Sequence, residues 1–230
     1  MRIFDSWQPR VIASLLVLTV FCWTFIELAD YATDGPPHGI DLKLLKSFRD
    51  EEDLSRLRGP AWFGGVVRDI TALGGYSVLA LTTLAVTGFL ALSGRPREAR
   101  FVLTAVVGGW VLAYGLKFAF DRPRPDVVPH LYDVKSSSFP SGHSLMSAVV
   151  YLTLGSLLSN LVERDRLKVY LLTVALLVSV LVGISRVLLG VHYPSDVIAG
   201  WCLGLAWAHI CWVIHKRLAR RFSASDDELD

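Results

Sequence analysis

The 230-residue sequence has only three cysteines, at positions 22, 202 and 211, with no C-x-x-C pairing. An odd number scattered through apolar stretches gives neither a disulfide framework nor a cysteine metal site, so all three read as small buried hydrophobes. Charge is also scarce. Charged residues make up 19% of the chain and the formal net charge is +2, which says nothing for a nucleic-acid partner. Also missing are the apolar-polar alternations of a soluble core and any repeat of about 20–50 residues. No low-complexity tract is present beyond the polar tail SASDDELD, which reads as frayed. What is abundant is apolar: 53% of residues are hydrophobic, in uninterrupted blocks, as in a membrane protein.

A helix needs about 20 residues, at 1.5 Å each, to cross a hydrocarbon layer of roughly 30 Å. Six segments approach or exceed that length: Val11–Ala29, Ile70–Leu92, Phe101–Leu116, Ser144–Val162, Val169–Ser185 and Val197–Ile214. The third and fifth are short and are each extended by a basic residue, Lys117 and Arg186, which can snorkel or serve a site. The first is longer than the apolar core of a signal peptide and no clear A-x-A follows it, so it reads as an anchor. The expected fold is all-α: a six-transmembrane-helix bundle forming one membrane domain over 1–230, with both termini on one side.

Short-loop charges orient the bundle. Arg95, Arg97 and Arg100 lie between the second and third spans, and Arg164, Arg166 and Lys168 between the fourth and fifth. With Arg2 and Arg10 before the first span and Lys216, Arg217, Arg220 and Arg221 after the last, that face is expected to be cytoplasmic. In the long first outer loop, DLKLLKSFRDEEDLSRL puts Leu42, Leu45, Phe48 and Leu57 near one helical face, followed by Trp62 and Phe63 after a Gly-Pro break. An interfacial helical segment is expected there, either a solvated surface helix or a lid over a site.

The outer face then collects Lys117, Arg122, Arg124, Ser141, Gly142, His143, Arg186, His192 and Asp196. Singly, most have structural explanations: Lys117 can snorkel, Arg124 can be a loop charge, and Ser141 can cap a helix. Arg186, at the end of an apolar span, is a functional candidate by default. Together, several fixed cations with one nearby carboxylate disfavour a metal, so no metal or other cofactor is expected. They suit phosphate: arginine forks and a lysine grip its oxygens, and free N–H groups at Ser141, Gly142 and His143 point at a helix mouth. Asp196, in the first turn of a helix opened by Pro194, can orient His192 so that one ring nitrogen is free to attack phosphorus. His143, without a carboxylate in its own motif, suits acid/base work on the leaving oxygen and on water.

KFAFDRPRP, PSGH and SRVLLGVHYPSD resemble the three-part K-x6-R-P, P-S-G-H, S-R-x5-H-x3-D signature of the type 2 phosphatidic acid phosphatase superfamily, matching in residue type, spacing and order from Lys117 to Asp196. The resemblance implies a six-helix membrane fold and metal-independent hydrolysis. It implies Lys117, Arg124, Ser141, Gly142 and Arg186 as phosphate-binding residues, His192 as the nucleophile of a phosphohistidine route, Asp196 as its partner and His143 as general acid/base. Ser185 carries only a structural role, and Asp121 and Arg122 receive none from the match. The compact chain is similar to bacterial enzymes of the cytoplasmic (inner) membrane that act on undecaprenyl pyrophosphate, phosphatidylglycerophosphate or phosphatidic acid, with the site facing the periplasmic side. Vanadium haloperoxidases share the signature, because vanadate mimics phosphate, but are soluble. A non-catalytic lipid-phosphate carrier would keep the cations and spans yet need neither both histidines nor Asp196. The small-xxx-small face in GWCLG, Gly200 to Gly204, is expected to pack helices within one chain, which leaves the oligomeric state open.

Overall fold

The structure, a computed structural model, describes residues 8–35, 39–134 and 136–226. Among these residues the regular structure is helical: α1 Gln8–Thr33, α2 Gly39–Ser47, α3 Phe63–Leu73, α4 Tyr76–Leu92, α5 Pro96–Ala119, α6 Gly142–Asn160, α7 Asp165–Leu188 and α8 Pro194–Asp226. Five of them, α1, α5, α6, α7 and α8, are long and apolar enough to cross a membrane. The pair α3 and α4 makes a sixth if it is counted as one span.

That pair corrects the span expected at 70–92. The helix begins earlier, at Phe63, and bends by 45° between Leu73 and Tyr76. Gly74 and Gly75 occupy the break, and a Cβ on Gly74 would strike Val182 and come within 3.3 Å of His143 Cδ2. The break therefore brings backbone against the histidine where any side chain would hold it away.

The loop between the first two expected spans also departs from expectation. Its helix, α2, stops at Ser47, and Phe48–Leu57 turn back on themselves with Arg49 bridged to Leu57. The acidic run ends it: Asp50 accepts the N–H groups of Glu52 and Asp53, and Asp53 accepts that of Ser55. Short acidic side chains bonding their own backbone compete with helix. Leu42 and Leu45 pack together against Val187, Tyr193 and Val197, but Leu57 packs apart from them with Val67 and Leu189, and Phe48 stays exposed, so the face expected of the four holds only for the first two.

Helix α8 runs past the expected end at 214 and takes in Ser223–Asp226 of the tail expected to be frayed. Residues 227–230 and Arg2 lie outside the described residues. Of the cysteines, Cys202 is buried and Cys211 half-buried, but Cys22 is exposed, contrary to expectation, on the outward side of α1. That helix turns Leu15, Leu16, Val20, Trp23 and Ile26 outward as well, an apolar surface suited to lipid.

The centre is α6, which packs against α4, α5, α7 and α8 and buries Leu145, Met146, Val149 and Val150 among Leu79, Val102, Val106 and Ala113. The seam with α8 is close because of two glycines. A Cβ on Gly200 would lie 2.6 Å from the Ser141 carbonyl oxygen, and one on Gly204 2.6 Å from that of Leu145. The GWCLG face thus packs within the chain, as expected. Gly200→Leu is expected to lower the midpoint of thermal unfolding in detergent, by overpacking of about 1–3 kcal/mol. An unchanged midpoint would show that the seam yields.

Candidate functional site

Helices α5 and α7 end, and α6 and α8 begin, on the same side of the bundle, so Lys117, Arg186, the α6 N-terminus and the α8 N-terminus meet there. The cations of the short loops, from Arg95 to Arg100 and from Arg164 to Lys168, lie at the opposite ends of α5, α6 and α7.

Ser141 caps α6 in extended backbone, its Oγ accepting the N–H of Ser144 at 3.4 Å. Its own N–H donates to the Asp196 carbonyl at 3.0 Å, which ties the mouth of α6 to the first turn of α8. Gly142 is needed for close approach: a Cβ there would sit 2.8 Å from the Tyr76 hydroxyl and 3.6 Å from Lys117 Cε. The cradle also holds two cations whose heads are tethered by backbone. Lys117 Nζ donates to the Ser137 carbonyl at 2.6 Å. Arg124 donates through Nε to Ser136 O at 2.7 Å and through Nη1 to Val191 O at 2.6 Å. Lys117 keeps further N–H groups for a ligand, whereas the Arg124 fork is engaged throughout, with Nη1 also facing His192 Nε2 at 3.2 Å and Nη2 donating to Ser136 Oγ at 3.2 Å and Ser137 O at 3.4 Å.

His192 lies in the turn between α7 and α8, whose sharpest point is Gly190 at φ +73°, a conformation that favours glycine. The ring is fully buried. Nδ1 faces Asp196 Oδ2 and Ser138 Oγ, both at 3.4 Å, and Nε2 faces Arg124 Nη1 at 3.2 Å. Nδ1–H toward the carboxylate leaves the Nε2 lone pair on the cradle side. Burial, then the charges of Arg124, Arg186 and Lys117, hold this imidazole well below its ordinary 6.5, which favours the neutral ring.

All eight residues given a role from the sequence lie at this end of the bundle, and five of them, Ser141, Gly142, Arg186, His192 and Asp196, are buried. Arg186 touches none of the other seven by hydrogen bond. It donates to Thr71 Oγ1 at 3.0 Å, stacks over Tyr132 at 4.8 Å, and leaves Nε buried without a partner. His143 Nε2 is likewise buried and unpaired, its ring 5.8 Å from that of Tyr76. Both unpaired nitrogens lie at this one site, where a polar group of a substrate could pair with them.

Sequence reasoning passed over three polar residues here, Asp41, Ser138 and Ser195, and collected Arg122 without giving it a role; all four are buried. Arg122 Nη1 meets Asp196 Oδ1 at 2.5 Å, and Ser138 Oγ donates to Asp196 Oδ2 at 2.5 Å. For Arg122 and Ser138 a signal existed in their adjacency to the motifs. For Asp41, 154 residues from its partner Ser195, there was none.

Residues 98–220 match the PAP2 superfamily. The phosphatidylglycerophosphatase B of Bacillus subtilis is 34% identical over 145 residues, 63% of this chain and 71% of that protein. A lipid A 1-phosphatase of Rhizobium etli is 30% identical over 55% of this chain, which spans about half (54%) of that protein's length. The crystal structure of a transmembrane PAP2-type phosphatidylglycerolphosphate phosphatase from Bacillus subtilis superposes with a TM-score of 0.78 at 27% identity, covering 87% of this chain and 96% of that one. With more than half of its length matched, the chain belongs to the PAP2 superfamily.

Proposed function

We propose that the protein is a six-span membrane phosphatase that removes phosphate from a phosphorylated lipid without a metal, through a phosphohistidine at His192. The reading rests on one observation above all: a buried imidazole with Nδ1 facing a carboxylate and Nε2 facing the Arg124 guanidinium, within the field of Arg186 and Lys117. The Nε2 lone pair attacks phosphorus while the phosphoryl oxygens sit among the cations and N–H groups of Ser141 and Gly142. The bond from phosphorus to the lipid oxygen breaks, and His143 supplies the proton that oxygen needs. Water then attacks the phosphohistidine, giving its proton to His143, and phosphate leaves. A carrier would have no use for this pair of histidines with a carboxylate behind one.

A glycerophospholipid monophosphate, phosphatidylglycerophosphate, is the substrate favoured by similarity to the Bacillus subtilis proteins. The short-loop cations at the far helix ends support a periplasmic site with both termini cytoplasmic. The α2 segment is read as a fixed outer-face element because Leu45 and Asp41 are buried.

The test is phosphate release from short-chain phosphatidylglycerophosphate added to right-side-out and inverted membrane vesicles, with EDTA and with vanadate. Turnover in right-side-out vesicles, indifferent to EDTA and blocked by vanadate as a mimic of the five-coordinate phosphorus, is expected. Activity lost with EDTA and restored by a divalent ion would overturn the metal-free route. Activity confined to inverted vesicles would reverse the sidedness.

A further inference from the structure

Arg122 is a cation of the site whose charge points away from the cradle. Its guanidinium, in a side chain 5% exposed, is shared between two buried carboxylates: Nη1 to Asp196 Oδ1 at 2.5 Å and Nη2 to Asp41 Oδ2 at 3.3 Å. Nη1 also donates to Ser195 Oγ at 2.8 Å, and the group lies 4.3 Å over the Tyr193 ring. Asp41, on α2, in turn accepts the Ser195 N–H at 3.1 Å and its hydroxyl at 2.5 Å. Asp196 Oδ2 accepts the Ser138 hydroxyl at 2.5 Å and the Tyr193 N–H at 2.9 Å, and His192 Nδ1 stands 3.4 Å from it.

We propose that Arg122 is a positioning residue that acts on His192 through Asp196, and that Asp41 of the first outer loop is its second counter-charge. The proposal rests on His192 being the nucleophile. A carboxylate with no exposure needs a fixed counter-charge to remain an anion. Arg122 supplies it and, with Ser138, fixes both oxygens of Asp196 so that one faces Nδ1. Were Arg122 paired with Asp196 alone, the pair would be neutral. Asp41 makes the trio carry one net negative charge, set behind the ring on which positive charge develops as Nε2 bonds to phosphorus. None of the three touches the phosphate, so their effect falls on the chemical step and not on anion binding.

The experiment compares Arg122→Gln, Arg122→Lys and Asp41→Asn with the unaltered enzyme in detergent. It reads kcat, KM, the pH profile of kcat, and the inhibition constant of inorganic phosphate. Arg122→Gln is expected to lower kcat by about 10- to 100-fold, the scale for a group that orients a reacting residue. Inhibition by phosphate should stay within about threefold, since Lys117, Arg124 and Arg186 are untouched. Arg122→Lys, which keeps the charge and loses the fork, should recover part of kcat, and Asp41→Asn should lower kcat and shift the pH profile with the fold retained. An unchanged kcat per phosphate-binding site in Asp41→Asn or in either Arg122 variant overturns the proposal, as does a parallel loss of kcat and phosphate binding. If Arg122 variants do not fold, Asp41→Asn decides alone. His192→Gln runs beside them: turnover surviving in that variant overturns the nucleophile itself, whereas its loss with intact turnover in Asp41→Asn overturns only the relay.

Discussion

Alanine at position 192 is expected to cut phosphate release from a lipid phosphate by about a thousandfold or more, to the background of the membrane preparation. A covalent route has no substitute for the missing ring nitrogen: the group that faces Nε2 is the Arg124 guanidinium, which is no nucleophile. The fold should survive the change. Asp196 keeps Arg122, Ser138 and the Tyr193 N–H after the imidazole is gone, so no carboxylate is left unpaired. Inorganic phosphate should still bind, since the cradle is intact, and its protection against thermal unfolding separates a dead enzyme from an unfolded one. More than a few per cent of the original turnover would show that His192 is not the nucleophile.

The motif residues were legible because each has a chemical type that the membrane makes expensive. Arg186 at the end of an apolar run and the PSGH mouth of α6 stand out against leucine and valine, and their common position followed from counting spans. The break at Gly74–Gly75 was not legible in the same way. Two glycines within an apolar stretch are ordinary in membrane helices, and only the approach of His143 and Val182 to Gly74 gives them a reason. The end of α2 was decided locally, by aspartates bonding their own backbone, against a leucine spacing that favoured a longer helix. Asp41 was beyond reach altogether. An acidic residue in the first turn of a surface helix is ordinary helix chemistry, and nothing in the local pattern says that a serine and an arginine far along the chain close over it.

Arg186 makes the contrasting case, where activity and stability are expected to move in opposite senses. It is 1% exposed, yet among the described residues it has no carboxylate partner, only Thr71 Oγ1, the Tyr132 ring and an Nε with nothing to donate to. A buried guanidinium in that condition weakens the empty protein, and an anionic phosphoryl group is the counter-charge that completes it. Arg186→Met, which keeps an unbranched apolar stem in the same space, should therefore unfold at the same temperature as the unaltered protein or higher in the absence of ligand. It should lose about 10²- to 10³-fold in turnover, the scale of removing one preorganised donor from a site of developing charge. Inorganic phosphate should raise the unfolding midpoint of the unaltered protein and raise that of the variant much less, because the ion then supplies a charge that the variant no longer lacks. Arg186→Lys should lie between, with a point charge but no fork. Full activity in Arg186→Met, or an equal phosphate-induced rise in both proteins, would place this arginine outside the cradle and leave its unpaired Nε without a function.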